Sequence, residues 1–95
     1  MVSTRRLVID VLKPHEPSTL AFAQQIAAVE SVAGVNATLI EIDKEVQNVK
    51  FTVEGEAIDY DDVEAIIEDA GGTIHSVDQV VCGEYLVENA PTPQD

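Results

Sequence analysis

The amino-acid sequence predicts an α+β domain with the element order βαββαβ. Three observations predict it: short runs of alternating apolar residues, two amphipathic stretches with helical spacing, and proline or glycine residues near most of the boundaries between them. The chain has 95 residues, 45% of them hydrophobic, which fits one small domain with a single core. We assign residues 1–87 to this domain and predict that the acidic, proline-containing tail over 88–95 is disordered.

The first strand is predicted over residues 5–12, where apolar side chains occupy every second position. One face of this strand consists of Leu7, Ile9 and Val11. Alternation with a period of two is typical of a strand with one buried face. Pro14 and Pro17 follow, and since proline disrupts both strand ladders and helix interiors, we expect the strand to end before them.

The first helix is predicted to begin after these prolines, with Ser18 or Glu16 as its N-terminal cap. Its apolar residues recur at the spacing of one helix face and are Leu20, Ala23, Ile26, Ala27 and Val32. Gly34 is expected to end the helix, because glycine adopts the left-handed conformation of many helix C-termini without strain.

Two β-rich runs, 35–43 and 46–55, are joined by a short polar turn and predict a hairpin. The second run alternates cleanly, with a core face of Val49, Phe51 and Val53. The first run is less regular, since Leu39 and Ile40 place apolar groups on both of its faces.

A second helix is predicted to begin at Asp59, whose carboxylate can cap the first turn. Its inward residues are Val63, Ile66, Ile67 and Ala70. The pair Gly71-Gly72 should end it, and residues 73–81 are predicted to form the fourth strand.

With short links and right-handed crossovers, this order predicts a ferredoxin-like sandwich: an antiparallel sheet in the order 4-1-3-2 with both helices on one face. The other face has no helices. Val8, Leu12 and either Leu39 or Ile40 would be partly exposed there, and contiguous exposed apolar area marks interfaces. We therefore expect a homo-oligomer; the alternative is a monomer whose open face is polar.

The charge is strongly acidic, with 18 Asp and Glu against 5 Lys and Arg and a net charge of −13. This excess disfavours nucleic acid and anionic membrane surfaces as partners. No apolar stretch approaches the roughly 20 residues that span a bilayer, and no apolar signal core is visible, so we expect a cytoplasmic protein. The acids either bind divalent cations or keep the protein soluble at high salt, and their even spread favours a halophilic surface.

Several activities found on this fold require residues that the chain lacks. An RNA-binding face needs stacking aromatics, and only two Tyr and two Phe occur. A heavy-metal carrier needs paired cysteines after the first strand, and Cys82 is the one cysteine; it could bridge two subunits but forms no internal disulfide. No catalytic triad or glycine-rich phosphate loop is present, so we expect no enzymatic activity.

Three segments of the chain are similar to one archaeal family. They are RRLVIDVLKPHEPS (5–18), GVNATLIEIDKEVQNVKFTVEG (34–55) and GGTIHSVDQVV (71–81). The family they resemble is domain of unknown function 211, and the resemblance covers about residues 5–85. It implies an archaeal, cytoplasmic, ferredoxin-like protein that assembles into a ring-like homo-oligomer, with no established activity and with an association with calcium. Cys82 and the many acids depart from the commoner pattern.

A candidate site lies where the first strand ends. An antiparallel fourth strand beside the first would place His75 near Leu12 and Lys13, and hence near the loop that holds His15 and Glu16. Two imidazoles and a carboxylate suit zinc or a similar divalent ion. We predict His15, Glu16 and His75 as metal ligands and Lys13 as a further residue of a ligand pocket. The alternative is that His75 bonds the loop backbone and His15 is a solvated turn residue.

Calcium prefers six to eight oxygen ligands. The densest acid cluster, Asp59–Asp62, is better explained as a helix N-terminus stabilised by the helix dipole. Oxygen ligands could instead be gathered across subunits from Asp10, Glu41, Asp43 or Asp78.

The sequence thus predicts a non-enzymatic, homo-oligomeric binding or regulatory module. Its candidate ligands are a divalent cation, calcium or zinc, and a small metabolite, bound at subunit interfaces. The alternative is a metal-dependent enzyme that uses His15, Glu16 and His75.

Overall fold

The computed structural model describes residues 2–88. Its elements are β1 (Thr4–Pro14), α1 (Thr19–Ala27), β2 (Gly34–Ile42), β3 (Val46–Glu54), α2 (Tyr60–Asp69) and β4 (Thr73–Cys82). The predicted order βαββαβ is confirmed. Disorder was predicted for residues 88–95. Of these the structure describes Glu88, and the others lie outside the described part of the chain.

The four strands form one sheet in the order β2-β3-β1-β4, with every neighbouring pair antiparallel. This is the predicted order 4-1-3-2 read from the opposite edge, and the arrangement fits a ferredoxin-like fold. The ladder between β1 and β4 is irregular, with register shifts at Thr4/Arg6, Val8/Ile9 and Asp10/Val11, whereas that between β2 and β3 shifts once, between Leu39 and Glu41.

One face of the sheet and both helices share a single core. The sheet contributes the alternate residues Leu7, Ile9, Val11, Val49, Phe51 and Val53. The helices contribute Phe22, Ile26, Val63 and Ile67. These side chains are nearly or completely buried, and since apolar area removed from water stabilises the fold by roughly 25 cal/mol per Å², this face holds the domain together.

The helix caps follow the prediction, but the end of α1 does not. The Ser18 hydroxyl accepts a hydrogen bond from the Ala21 N–H at 3.1 Å. The helix ends at Ala27, before the predicted Gly34, which instead begins β2. The intervening residues form turns that carry Val32 into the core. Leu20, predicted to face inward, is exposed because it lies on the side of α1 opposite Phe22.

Strand β1 is longer than predicted and extends through Lys13 and Pro14. Lys13 pairs with Gln47 and Pro14 with Val46, so β3 continues the ladder past the expected end at residue 12. Lys13 thereby continues the inward series of Leu7, Ile9 and Val11. No helix among the described residues is long and apolar enough to cross a membrane.

Candidate functional site

The side chain of Lys13 is the most unusual feature at the end of β1. It is only 1% exposed, although it carries an ammonium group. The ammonium donates hydrogen bonds to the Pro14 carbonyl at 2.7 Å and to Gln47 Oε1 at 2.9 Å, and it lies 5.1 Å from the centre of the Phe22 ring. Two acceptors and an aromatic face therefore compensate for much of the hydration that a buried ammonium loses.

Burial lowers the pKa of Lys13, and the nearby Glu16 carboxylate acts in the opposite direction. Gln47 Oε1 also accepts from the Thr19 hydroxyl at 3.4 Å. Lys13 thus connects β1, β3 and the first residue of α1 from inside the domain. It is placed to hold these elements together, and its role in a ligand pocket stays a prediction.

His15 is exposed and turned towards the β2–β3 hairpin. Its Nε2 lies 2.9 Å from the carbonyl oxygen of Asp43. A carbonyl only accepts hydrogen bonds, so Nε2 carries a proton in this contact and the neutral ring has its lone pair on Nδ1. If His15 binds a metal while keeping this contact, Nδ1 is the ligand atom.

His75 lies on the other side of β1, on the exposed edge strand β4. It occupies the irregular part of the ladder opposite Asp10 and Val11, near the predicted position beside the end of β1. The ring of His15, however, points away from β4. Within residues 2–88, no group of three or more His, Cys, Asp and Glu side chains is arranged to hold a metal ion. Metal binding by His15, Glu16 and His75 stays a prediction.

A small cleft opens next to the His15 contact, at the hairpin end of the sheet. It measures about 150 Å³ and is lined by Leu12, Glu41, Asp43, Val46 and Asn48. The Asn48 amide nitrogen donates to the Asp10 carboxylate and to the Val11 carbonyl. Asn48 therefore has its amide oxygen left for a ligand, beside two carboxylates. Oxygen atoms of this kind are what hard divalent cations prefer.

A larger depression of about 590 Å³ lies at the start of β2 and offers less chemistry. Its lining residues are Ala33, Gly34, Val35, Asn36, Thr52 and Glu54. Glu54 is its one ionisable residue, and this carboxylate already accepts from Arg6 Nε at 2.6 Å. The smaller cleft is the better candidate for a ligand site.

Exposed apolar side chains surround the hairpin, and we call them the hairpin patch. Its members are Leu12, Leu39, Ile40, Ile42 and Val46. Ile40 and Ile42 are 52% and 59% exposed, on a strand that forms the edge of the sheet. The prediction offered Leu39 or Ile40 as an exposed residue, and both are exposed, because β2 lies at the edge and bulges between Leu39 and Glu41.

The open face of the sheet is more polar than expected. Between the strand ends it presents Arg6, Asp10, Lys50 and Thr52, with Val8 half-buried among them. Lys50 Nζ lies 3.8 Å from an oxygen of Asp78, and Arg6 is paired with carboxylates. The middle of this face is therefore mainly polar, and the hairpin patch is one of several groups of exposed apolar residues, which also include Val77 and Val80 on β4.

Sequence reasoning missed the burial of Lys13, its hydrogen bond to Gln47 and the contact of the Asp43 carbonyl with His15. A signal was present for Lys13, because it lies two residues after Val11 in the same alternation. No local pattern connects His15 to the Asp43 carbonyl, since that contact joins residues 28 positions apart through the tertiary fold.

Comparisons with known proteins agree with the sequence resemblance. Residues 5–95 match the model of the DUF211 family, described as uncharacterized ArCR. The chain is also 50% identical to the uncharacterized protein MJ0319 of Methanocaldococcus jannaschii, over 100% of this chain and 98% of the relative.

Proposed function

The chain belongs to the DUF211 family, and from the geometry of its sheet we propose that it is a non-enzymatic binding or regulatory module that works as a homo-oligomer. The observation that carries the proposal is the hairpin patch, three of whose five residues lie on the edge strand β2. Contiguous exposed apolar area on a small protein marks an interaction surface. An edge strand adds backbone donors and acceptors that a further strand can pair with.

The shape of the hairpin patch favours a partner that approaches the edge of the sheet. Leu39 and Ile42 pair with residues of the helix-covered side, Val49 and Gln47, whereas Leu12 pairs with Asn48 of the open face. Apolar groups therefore lie on both faces of the sheet at its hairpin end, those of β2 at the edge and Leu12 on the inner strand β1. Addition of a strand along β2 would cover the apolar groups of that edge strand.

The cleft lies within this surface, because Leu12 and Val46 belong both to its lining and to the hairpin patch. A second copy at the hairpin would cover the cleft and add ligand atoms to it. We therefore propose that the module binds its ligand here, between subunits. The ligand is either a divalent cation, such as calcium or zinc, or a small metabolite with a positively charged group. Glu41 and Asp43 supply the complementary charge.

Light scattering on the purified protein tests the assembly. We expect a mass that is a multiple of 10.2 kDa and that is favoured by salt, because a net charge of −13 makes copies repel until the Debye length falls from about 10 Å at 0.1 M to about 3 Å at 1 M. Ile42→Glu should dissociate the assembly. Leu20→Glu is the matched control, since Leu20 is an exposed leucine of α1 that is not a member of the patch.

A wild-type mass of one chain at every salt concentration would overturn the proposal. Equal loss of assembly in the Leu20 and Ile42 variants would instead show that any added charge dissociates the protein, and that the hairpin patch is not the interface.

Thermal unfolding with added calcium, zinc or metabolites tests the ligand. A ligand that binds only the folded state raises stability by RT ln(1 + [L]/Kd), which is about 2.7 kcal/mol at 100 times Kd. We expect a saturable rise in Tm that is lost in the Glu41→Gln, Asp43→Asn double variant. If no cation or metabolite raises Tm beyond sodium chloride of equal ionic strength, the ligand proposal is wrong.

The metal-dependent enzyme that would use His15, Glu16 and His75 has less support from the geometry. His15 Nε2 is engaged by Asp43, and the ring points away from the strand that carries His75. Elemental analysis of the His15→Ala, His75→Ala double variant tests this alternative, and a metal content equal to that of the wild type would exclude these residues as ligands.

A further inference from the structure

The segment that follows β4 lies against the start of β1, and we call residues 83–88 the C-terminal arm. It is held at its beginning by the Gly83 N–H, which donates to the Ser3 carbonyl at 2.8 Å. Arg5 Nη1 donates to the Gly83 carbonyl at 3.3 Å and to the Glu84 carbonyl at 2.9 Å. At the far end of the arm, the Glu88 carboxylate binds Arg6.

The contact between Arg6 and Glu88 is bidentate. Arg6 Nη1 donates to Glu88 Oε1 at 3.0 Å and Nη2 donates to Oε2 at 2.8 Å. The planar guanidinium fork matches the two oxygens of a carboxylate, which makes this geometry specific as well as attractive. The hydrogen bonds from Arg6 lower the pKa of Glu88.

The receptor for Glu88 is built from the sheet. Arg6 on β1 is oriented by Glu54 on β3, through Nε at 2.6 Å, and by Gln79 on β4, through Nη1 at 3.3 Å. None of these residues belongs to the arm. Each copy of the chain therefore presents the same fork, whichever arm fills it.

Between its two anchors the arm exposes three consecutive apolar residues. Tyr85 and Val87 are 77% and 69% exposed, and Leu86 is 43% exposed. None of the three belongs to the hydrophobic core. Single exposed apolar residues are common, but a contiguous group beside a specific ion pair is typical of a surface that another molecule covers.

Gly83 gives the arm a pivot. Its φ of +114° lies in a region that glycine adopts without strain, and a Cβ there would meet nothing within 4 Å. A different arm direction at Gly83 would meet no side chain at this residue, and it would break the hydrogen bonds that Arg5 donates to the Gly83 and Glu84 carbonyls.

We propose that the arm is exchanged between copies: Glu88 of one copy binds Arg6 of the next, and Tyr85, Leu86 and Val87 pack between them. This inference rests on the proposed homo-oligomer. Exchange costs little free energy, because the hydrogen bonds that the arm loses within its own chain form again between chains. Exchange also buries side chains that are exposed to water when the arm lies on its own chain. The occupant of the Arg6 fork is then a carboxylate of a second copy of this chain.

Charge reversal and mixing test the exchange. Arg6→Glu and Glu88→Arg should each raise the concentration at which the assembly half-dissociates by tenfold or more, because like charges then meet at the contact. An equimolar mixture of the two variants should return to within about threefold of the wild type, since each can pair with the other across the interface. The double variant on one chain should recover as well and serves as the control.

Recovery by the double variant without recovery by the mixture would place the contact within one chain and overturn the exchange. A wild type that is monomeric throughout would instead refute the proposed function on which it rests. The two failures are therefore distinguishable.

A second measurement covers the case in which Arg6→Glu does not fold beside Glu54. One sample is a Tyr85→Cys, Cys82→Ser variant without isotope that carries a spin label at residue 85. The other is the unmodified protein labelled with ¹⁵N, and the two are mixed. Exchange predicts broadening of the Arg6 Nε–H signal in the ¹⁵N copies. No more broadening than with the label on Leu20→Cys would contradict it.

Discussion

The two faces of the sheet are built from alternate residues of the same strands, yet they are stabilised differently. The helix-covered face is a dry core of aliphatic and aromatic side chains, and Lys13 is the one buried charged residue among 2–88. The open face carries charges held by ion pairs and hydrogen bonds, and the Arg6–Glu54 contact is the shortest ion pair within residues 2–88. Packing should therefore determine stability, while the open face and the edges remain available for binding.

The largest effect is expected for a truncation on the covered face. Phe51 is fully buried and its ring centre lies 6.4 Å from that of Phe22. Phe51→Ala should lower the free energy of unfolding by about 3–5 kcal/mol, because it removes apolar contacts and leaves a cavity. The neighbouring Thr52→Ala on the open face should change it by only about 0.5 kcal/mol.

Urea denaturation of both variants measures the contrast. If the losses in the free energy of unfolding of the two variants differ by less than about 1 kcal/mol, the open face contributes to stability as much as the core does.

Substitutions of Lys13 test whether its buried charge contributes to the stability of the covered face. Lys13→Ala should cost about 2–3 kcal/mol, since it leaves a cavity and removes the donor that satisfies Gln47 and the Pro14 carbonyl. Lys13→Met retains most of the apolar stem and should cost less, because it also removes the penalty of burying an ammonium. Chemical denaturation checks both, and an equal loss in the two variants would show that the hydrogen bonds of the ammonium outweigh its packing.

The same residue should make stability depend on pH. The folded-state pKa of Lys13 lies below the unfolded value of 10.5, so the unfolded chain binds more protons in the interval between the two. The penalty is present in full below the folded pKa and is relieved as pH rises towards 10.5, so stability should increase there. Burial also raises the pKa of Tyr60 above 10.0, which lowers stability as pH rises above about 10 and so opposes the Lys13 effect in the overlapping range.

Subtraction of the Lys13→Met curve from that of the wild type cancels the contribution of Tyr60. The difference should rise in favour of the wild type up to about pH 10.5 and then level off. A flat difference would mean that Lys13 titrates normally and is hydrated in solution.

The smallest effect is expected for the ion pair between Lys50 and Asp78 on the open face. Its atoms are 3.8 Å apart and both side chains are partly exposed, so Lys50→Met should change the free energy of unfolding by about 0–0.5 kcal/mol. Thermal unfolding at low and high salt checks this. A salt-sensitive loss above about 1 kcal/mol would show that the open face is a coupled charge network rather than a set of independent pairs.

The covered face was predictable from the sequence because its signal is local. Val49, Phe51 and Val53 alternate along the chain, and Ser18 and Asp59 mark helix starts by their side-chain chemistry. The early end of α1 was not predictable from local sequence, because the turns after Ala27 place Val32 in the core, and that packing depends on the tertiary fold. The same holds for the site: the contacts of His15 with Asp43 and of Glu88 with Arg6 join distant parts of the chain.

The irregular ladder of β4 has a consequence for how many copies can join. Two of the three register shifts insert an extra residue into β4, Asp78 and His75, and so interrupt the regular edge of that strand, whereas β2 is regular from Gly34 to Leu39. Strand pairing between copies is therefore favoured along β2. Pairing of β2 with β2 of a second copy is a two-fold contact that occupies the regular edge of both copies, so assembly by this contact stops at a dimer. A closed ring needs a head-to-tail contact, in which one surface meets a different surface of the next copy. An arm that reaches the Arg6 of a neighbour is such a contact when the neighbour's arm passes on to a third copy.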